Sequence, residues 1–520
     1  VSKLNTIQTP HSAVTSTGEV TTTQQGGVGY IRDAKSELFL LAVSNMVGED
    51  TFYEGKSERD KRFRDLVRSV AVDDPDWTRR LIGWLRNSAN MRTGSIVAAA
   101  EAAYALRDAK IPGGRQIVDA AISRADEPGE LLAYCLNRYG RKLPLPIKKG
   151  VADAVERLFT EYNYLKWDSD ARAVRMADVV ELVHPSAKAA WQGDLYKHML
   201  GERHGRGNEI PESLAVLRSR AALMAVPVER RRSVLGDSTR LSDGGMTWES
   251  LAGWLRGPMD REAWEAMIPS MGYMALLRNL RNFDDAKVSD AVAQTVCAKL
   301  ADPEQVAKSR QLPLRFVSAY KAAPSLRWAW ALEQAVNLSL ANVPRLDRRS
   351  LILVDRSGSM FGAGLSARST LDNAEAAALF GSALALRANN ADLVQFGATS
   401  IPVPFRTSDS LLKMPERFTY LGGTATMAAV QTHFAGHNRV IIITDEQYNT
   451  WSGGYIGGRV PDVGSILPPS VPLYTWNLAG YRAGQSESGG ANRHTFGGLS
   501  DAAFTMLGVL ESHREGGWPF

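Results

Sequence analysis

One carboxylate and two hydroxyls stand at alternate positions in Asp355-Arg356-Ser357-Gly358-Ser359, directly after the apolar run Leu351-Ile352-Leu353-Val354. Such a run reads as a buried strand, so the three oxygen-bearing side chains leave its end together on one loop. Hard cations such as magnesium take oxygen ligands in octahedral array and keep some water. Two more oxygens occur in matching settings. Gly422-Gly423-Thr424 places a hydroxyl on a tight glycine turn, and Val440-Ile441-Ile442-Ile443-Thr444-Asp445 ends a second apolar strand in a carboxylate. Alone, Asp355 reads equally well as a turn or helix-capping aspartate. Three such segments in order, two of them closing apolar strands, point to a divalent-cation site at the carboxyl ends of parallel strands, where open α/β sheets bind ligands.

The elements that must position these oxygens begin near Ser350. Strands are predicted at 350–354, 391–397, 400–405, 439–444 and 471–476, with helices at 372–388, 410–416, 425–434 and 499–511. Alternating strand and helix implies a doubly wound, mostly parallel sheet. The stretches Ser452 to Gly458 and Gly484 to Gly498 read as surface loops. Upstream, residues 29–346 are helical almost throughout, from Ser36–Val43, Asp76–Leu85 and Ile96–Leu106 to 326–341, with Pro and Gly between the segments. Many short helices without one dominant heptad argue for stacked antiparallel pairs, an α-solenoid. Residues 1–28 are rich in Ser, Thr, Gln and Gly and read as a flexible arm with little to bury. The division is therefore 1–28, 29–346 and 347–520.

The 520 residues suffice for several cores. No apolar stretch approaches the roughly 20 residues of a membrane span, and no signal peptide is read at the start. Cys135 and Cys297 are the two cysteines, both in helical settings, which excludes a disulfide framework and fits a reducing cytoplasm. Net charge is +5, and the excess lies upstream: 48 basic against 42 acidic residues before Asp347, then 13 against 14. That permits an anionic partner without demanding one. No P-loop, Gly-x-Ser-x-Gly, His-Glu-x-x-His or paired-cysteine motif occurs, so an enzyme is not expected.

The set Asp355, Ser357, Ser359, Thr424 and Asp445 resembles the metal-ion-dependent adhesion site of the von Willebrand factor A domain. The helical part has phrases of its own, among them Gly272-Tyr-Met-Ala-Leu-Leu-Arg278-Asn279-Leu-Arg281-Asn282 and Leu312-Pro-Leu-Arg315-Phe316, with Trp248, Trp264 and Glu265 upstream. These resemble the TROVE module. A TROVE module followed by an A domain is the architecture of the Ro autoantigen family and its bacterial or phage relatives. The resemblance implies a ring of HEAT-like repeats closed by the A domain, which holds magnesium or another divalent cation. It implies further that the ring takes single-stranded 3′ ends of misfolded or immature RNAs and that small noncoding Y RNAs bind its outer surface. It also implies an exoribonuclease partner such as polynucleotide phosphorylase, and a monomer, since one chain builds the ring.

Three groups of RNA-contact residues follow. Lys166, Arg172 and Arg175 precede a helix ending at His184, which the resemblance places at the hole; on its own His184 reads as a helix-end hydrogen-bonding residue. Arg138, Arg141, Lys142, Lys148 and Lys149 cluster around a proline-containing loop, or form a solvated basic face. Arg278 and Arg281 share a helical face and join Arg315, unless they pair with Glu265, Asp284 or Asp285. Val228-Glu229-Arg230-Arg231-Arg232 is a candidate outer-surface patch or a solvated charge run. Trp77, Trp84, Trp191, Trp254, Trp264, Trp328 and Trp330 fall at helical spacing and are expected in the core. A competing reading is a scaffold that recruits proteins through an open metal position.

Overall fold

The structure, a computed structural model, describes residues 12–44, 49–207, 209–311, 313–323, 325–341, 343–361, 371–449, 462–490, 492–500, 502–511 and 517–520. Nine strands occur among them: β1 (Ser16–Thr22), β2 (Val28–Arg32), β3 (Leu346–Asp355), β4 (Ala388–Phe396), β5 (Ser400–Pro402), β6 (Arg439–Thr444), β7 (Leu473–Asn477), β8 (Ala483–Gly484) and β9 (Arg493–Gly497). Six form a sheet in the order β5-β4-β3-β6-β7-β9. All neighbours run parallel except β5, which returns antiparallel beside β4. From β3 the chain moves one way to β4 and β5, then crosses back to β6 and on to β9. The strand order therefore reverses between β3 and β6, and a crevice opens at their carboxyl ends.

Side-chain alternation explains why both central strands are apolar throughout. Leu351, Leu353, Val440 and Ile442 pack with Met427 and Val430 of helix Thr426–His433. Ile352, Val354, Ile441 and Ile443 face the opposite core, with helix Asn373–Arg387, Trp476 and Phe504. That helix lies close on β3: a Cβ on Gly381 would sit 2.4 Å from Val354 Cγ2.

Several expectations are corrected. The stretch 484–498 is not surface loop: β9 is the sheet's edge strand and largely buried. Its Arg-His-Thr-Phe-Gly sequence lacks the aliphatic run that marks β3 and β6. Expected helix 410–416 is a turn and a short 3-10 segment, Met414–Arg417, and expected strand 400–405 shortens to β5. Ser452–Gly458 lies outside the described residues. The arm is structured from Ser12 onward. Strand β1 pairs with β2, and β2 pairs with β8 from the C-terminal part. Polar composition did not prevent order because backbone pairing and buried charge replace apolar burial. Arg32 and Glu446 form an ion pair with side chains 1% and 0% exposed. Asn477 and the backbone N–H of Gln485 also donate to Glu446.

From Ala34 to Ser339 the regular elements among the described residues are helices. The sequence reading passes over Lys56–Asp73, Glu161–Trp167, Ala190–Arg203, Ser238–Asp243 and Pro303–Ser309. Lys56–Asp73 shows why: charge dominates it, and its apolar stripe reduces to Phe63, Val67, Val70 and Ala71. The early and late helices meet. Asn90 Nδ2 donates to the Arg310 carbonyl at 2.6 Å, joining loops 220 residues apart. The helical part also docks on the sheet. Arg59 and Arg62 donate to the carbonyls of Ala479 (2.7 Å) and Gly480 (3.0 Å) beyond β7, and Lys321 pairs with Glu375 at 2.7 Å. Trp518 and Phe520 pack against Phe39, Trp77 and Trp84. Trp77, Trp254, Trp264 and Trp328 are core residues as expected, whereas Trp191 and Trp330 are exposed, 38% and 62%. No helix among the described residues is long and apolar enough to cross a membrane.

Replacing Arg32 with Met should destabilise the fold by about 3 kcal/mol, because a buried carboxylate left without its cation is costly. Urea unfolding of the full chain checks this, and a shift under 1 kcal/mol (roughly the value of an exposed pair) would contradict it.

Candidate functional site

The five oxygens predicted from the sequence come from three segments that the fold brings into the β3–β6 crevice. Asp355 ends β3 with no exposure. Its Oδ1 accepts from the Ser357 N–H at 2.8 Å and its Oδ2 from the Thr444 hydroxyl at 2.6 Å. Ser357 and Ser359 lie 3.2 Å apart, oxygen to oxygen. The glycine loop is joined to this turn by a parallel bridge between Ser357 and Gly422, with the Gly358 N–H donating to the Gly422 carbonyl at 2.7 Å. Gly422 takes φ 78°, a left-handed conformation that admits glycine freely, and this brings Thr424, 2% exposed, beside the turn. Asp445, one residue beyond β6, is 1% exposed. Its Oδ1 accepts from the Gln447 N–H at 3.0 Å, and its Oδ2 has no hydrogen-bond partner among the described residues.

Burial lifts both carboxyls above the ordinary aspartate range. For Asp355 the hydrogen bonds from Thr444 and Ser357 oppose the effect. For Asp445 the nearby Asp355 charge adds to burial, and the group is pushed up to about 7. Two desolvated carboxyls, three hydroxyls and one unpartnered oxygen fit a hard divalent cation, which would neutralise the pair. No group of three or more His, Cys, Asp or Glu able to hold a metal occurs among the described residues, so such an ion depends on the hydroxyls. Arg356 turns away from the site: its guanidinium donates to the carbonyls of Ala374 (2.5 Å) and Thr419 (3.1 Å) and lies over Phe361. Nothing in the sequence marks Tyr53, which neighbours Ser359, or Gln25, which donates to its hydroxyl. Both lie hundreds of positions away in stretches without motif.

The candidate RNA residues divide into engaged and free cations. Arg172 pairs with Asp126 (3.0 Å) and Glu130 (2.9 Å), and Arg175 with Asp168 and Asp170. Arg138 pairs with buried Glu101 at 2.5 Å, where Tyr134 and Tyr139 also donate. Lys166 is exposed and sits over the rings of Tyr162 (5.5 Å) and Trp167 (5.0 Å). His184 is the exposed left-handed residue closing helix Met176–Val183. Arg141, Lys142 and Lys149 are exposed and Lys148 half-buried, and none forms an ion pair among the described residues. Arg278 and Arg315 are likewise exposed and unpaired there, on the contacting helices Tyr273–Asp285 and Pro313–Ala322. The alternative pairing is confined to Arg281, 3.9 Å from exposed Asp285, a contact worth a few tenths of a kcal/mol. Glu265 and Asp284 serve Arg261 and Arg327 instead. In the 228–232 patch, Arg231 is held by the Val226 and Trp254 carbonyls, and Arg232 by Asp260 and Glu262.

Residues 192–327 match the family model of the TROVE domain. That stretch thus carries a TROVE domain, and the fold of the chain as a whole is shared with a solved Ro protein. Among solved structures, the crystal structure of the Deinococcus radiodurans RO (RSR) protein is similar, with a TM-score of 0.59, 18% sequence identity, and 92% of this chain and 100% of that chain covered. Comparison with curated protein sequences finds no match.

The raised carboxyl gives a pH dependence to the metal-free protein. Asp445 is raised in the folded state from 3.8 to about 7. Its contribution to stability is therefore complete below about pH 4 and is lost as pH rises toward about 7. With EDTA present, the melting temperature should fall over that window, and Asp445→Asn should flatten the fall. Identical profiles for the two proteins would contradict this.

Proposed function

We propose that the helical part is a closed solenoid ring of HEAT-like repeats, completed by a von Willebrand factor A domain, and that the protein is the RNA-binding component of a ribonucleoprotein. The ring takes single-stranded 3′ ends of misfolded or immature structured RNAs, and the outer surface binds a small Y-like noncoding RNA. The A domain holds magnesium or another divalent cation through Asp355, Ser357, Ser359, Thr424 and Asp445. The protein acts by binding rather than catalysis, as a cytoplasmic monomer that presents RNA to an exoribonuclease such as polynucleotide phosphorylase.

The observation that carries this reading is the state of Arg278 and Arg315. Within the stretch that matches the TROVE domain, these guanidinium groups are exposed and unspent on protein carboxylates among the described residues. Cations of this kind neutralise phosphates and release counterions. Arg141, Lys142 and Lys149 have the same character. Arg138, Arg172 and Arg175 contribute less, because a phosphate must first displace an existing carboxylate. The contact between the loops at Asn90 and Arg310 supports a belt closed within one chain.

The test is a titration of an RNA carrying a duplex stem and a single-stranded 3′ tail, repeated over a range of salt. Binding should weaken steeply with salt. The double substitution Arg278→Ala, Arg315→Ala should lower the logarithmic slope by about two, roughly one per lost phosphate contact. Arg172→Ala should change it less. Absent or salt-insensitive binding overturns the proposal, and RNA cleavage by the protein with magnesium overturns its non-catalytic part.

A further inference from the structure

The cation site in the β3–β6 crevice is approached by two residues from outside the α/β unit. Tyr53 stands in the turn Thr51–Glu54, just before helix Lys56–Asp73. Its N–H faces the Tyr481 hydroxyl at 3.4 Å, and its ring packs edge-on to Tyr481 (5.5 Å) and Phe52 (4.8 Å). The next residue, Glu54, pairs with Arg59 and Arg62, which in turn hold the Ala479 and Gly480 carbonyls. The turn is thereby fixed to the loop beyond β7.

The second approach is through the β1–β2 turn. The Gln24 N–H donates to Gln447 Oε1 at 2.9 Å, Gly26 bridges to Asn449, and Thr23 donates to the Tyr448 carbonyl at 2.8 Å. This turn thus rides on the residues that directly follow Asp445. From it, Gln25 Nε2 donates to the Tyr53 hydroxyl at 2.5 Å. On its other side that hydroxyl faces the Ser359 side chain. Burial holds the phenol above its ordinary range, with the Asp445 and Asp355 charges adding to the effect. A neutral phenol oxygen, aimed by an amide donor and resting against a candidate ligand, is a hard donor of the kind magnesium accepts.

We infer that Tyr53 belongs to the cation site: its hydroxyl supplies an oxygen ligand on the side that Asp355, Ser357, Ser359, Thr424 and Asp445 leave open, so that a bound divalent cation fastens the helical part to the α/β unit within one chain. The inference rests on the cation reading above. It has a direct consequence for the scaffold alternative, since a position filled by Tyr53 is closed to a carboxylate from a partner protein. Gln25 acts as a positioning residue that orients the phenol.

Terbium(III) is a hard, oxygen-seeking cation whose luminescence decay in light and heavy water counts its water ligands. The full chain should bind terbium, and Asp445→Ala should abolish binding. Tyr53→Phe keeps the ring against Tyr481 and Phe52 and removes the oxygen alone. This variant should still bind terbium, with a hydration number about one higher. Acetate should then lower that number in Tyr53→Phe and leave the unsubstituted chain unchanged. Equal hydration in the two proteins, with terbium still lost in Asp445→Ala, overturns the role of Tyr53 and leaves the cation site standing. Terbium binding that survives Asp445→Ala, or no binding at all, overturns both.

Discussion

Desolvation of two like charges in one crevice is the constraint around which the α/β unit is arranged. Asp355 and Asp445 end neighbouring parallel strands, and each is essentially inaccessible to water. In such a place a carboxylate must find hydrogen bonds, a proton or a cation. The fold supplies some of the first: the Ser357 and Gln447 amides and the Thr444 hydroxyl. It stops short of satisfying Asp445 Oδ2. The neighbouring Arg356 does not neutralise the pair, since its guanidinium turns away to the Ala374 and Thr419 carbonyls.

One residue further along, Glu446 meets the same penalty in the opposite way. It is fully buried and paired with Arg32, while Asn477 and the Gln485 amide satisfy its remaining capacity. Adjacent acidic residues thus divide the work. One fixes the N-terminal hairpin to the sheet, and the other is left available for an ion. The same division runs through the helical part, where Arg138, Arg172 and Arg175 are committed to carboxylates while Arg278 and Arg315 are not. Only the second kind is ready for an external anion without first breaking an internal contact.

The sequence was most informative where apolar patterning and chemistry coincide. Two aliphatic strands ending in aspartate pointed to the candidate cation residues and to the central sheet pairing, because a buried parallel strand must be apolar on both faces. It was least informative where order comes from long-range polar contacts. Strand β1 is composed of Ser, Thr, Gly, Glu and Val and reads as disordered, yet it is held by pairing with β2, whose Arg32 forms a buried ion pair with Glu446, 414 positions further along the chain. Strand β9 reads as loop because its burial is borne by His494, Thr495 and Phe496 between glycine-rich flanks. Arginine-rich phrases showed where cations lie but not which had already found a carboxylate.

Trp518 and Phe520 complete a core begun by Phe39, Trp77 and Trp84, and Arg80 bonds the Phe520 carbonyl across 440 positions. During synthesis on the ribosome, the first helices therefore emerge long before the side chains that cover their aromatic face. That face stays open until almost the whole of this sequence has been translated, a natural place for a chaperone to hold the nascent chain.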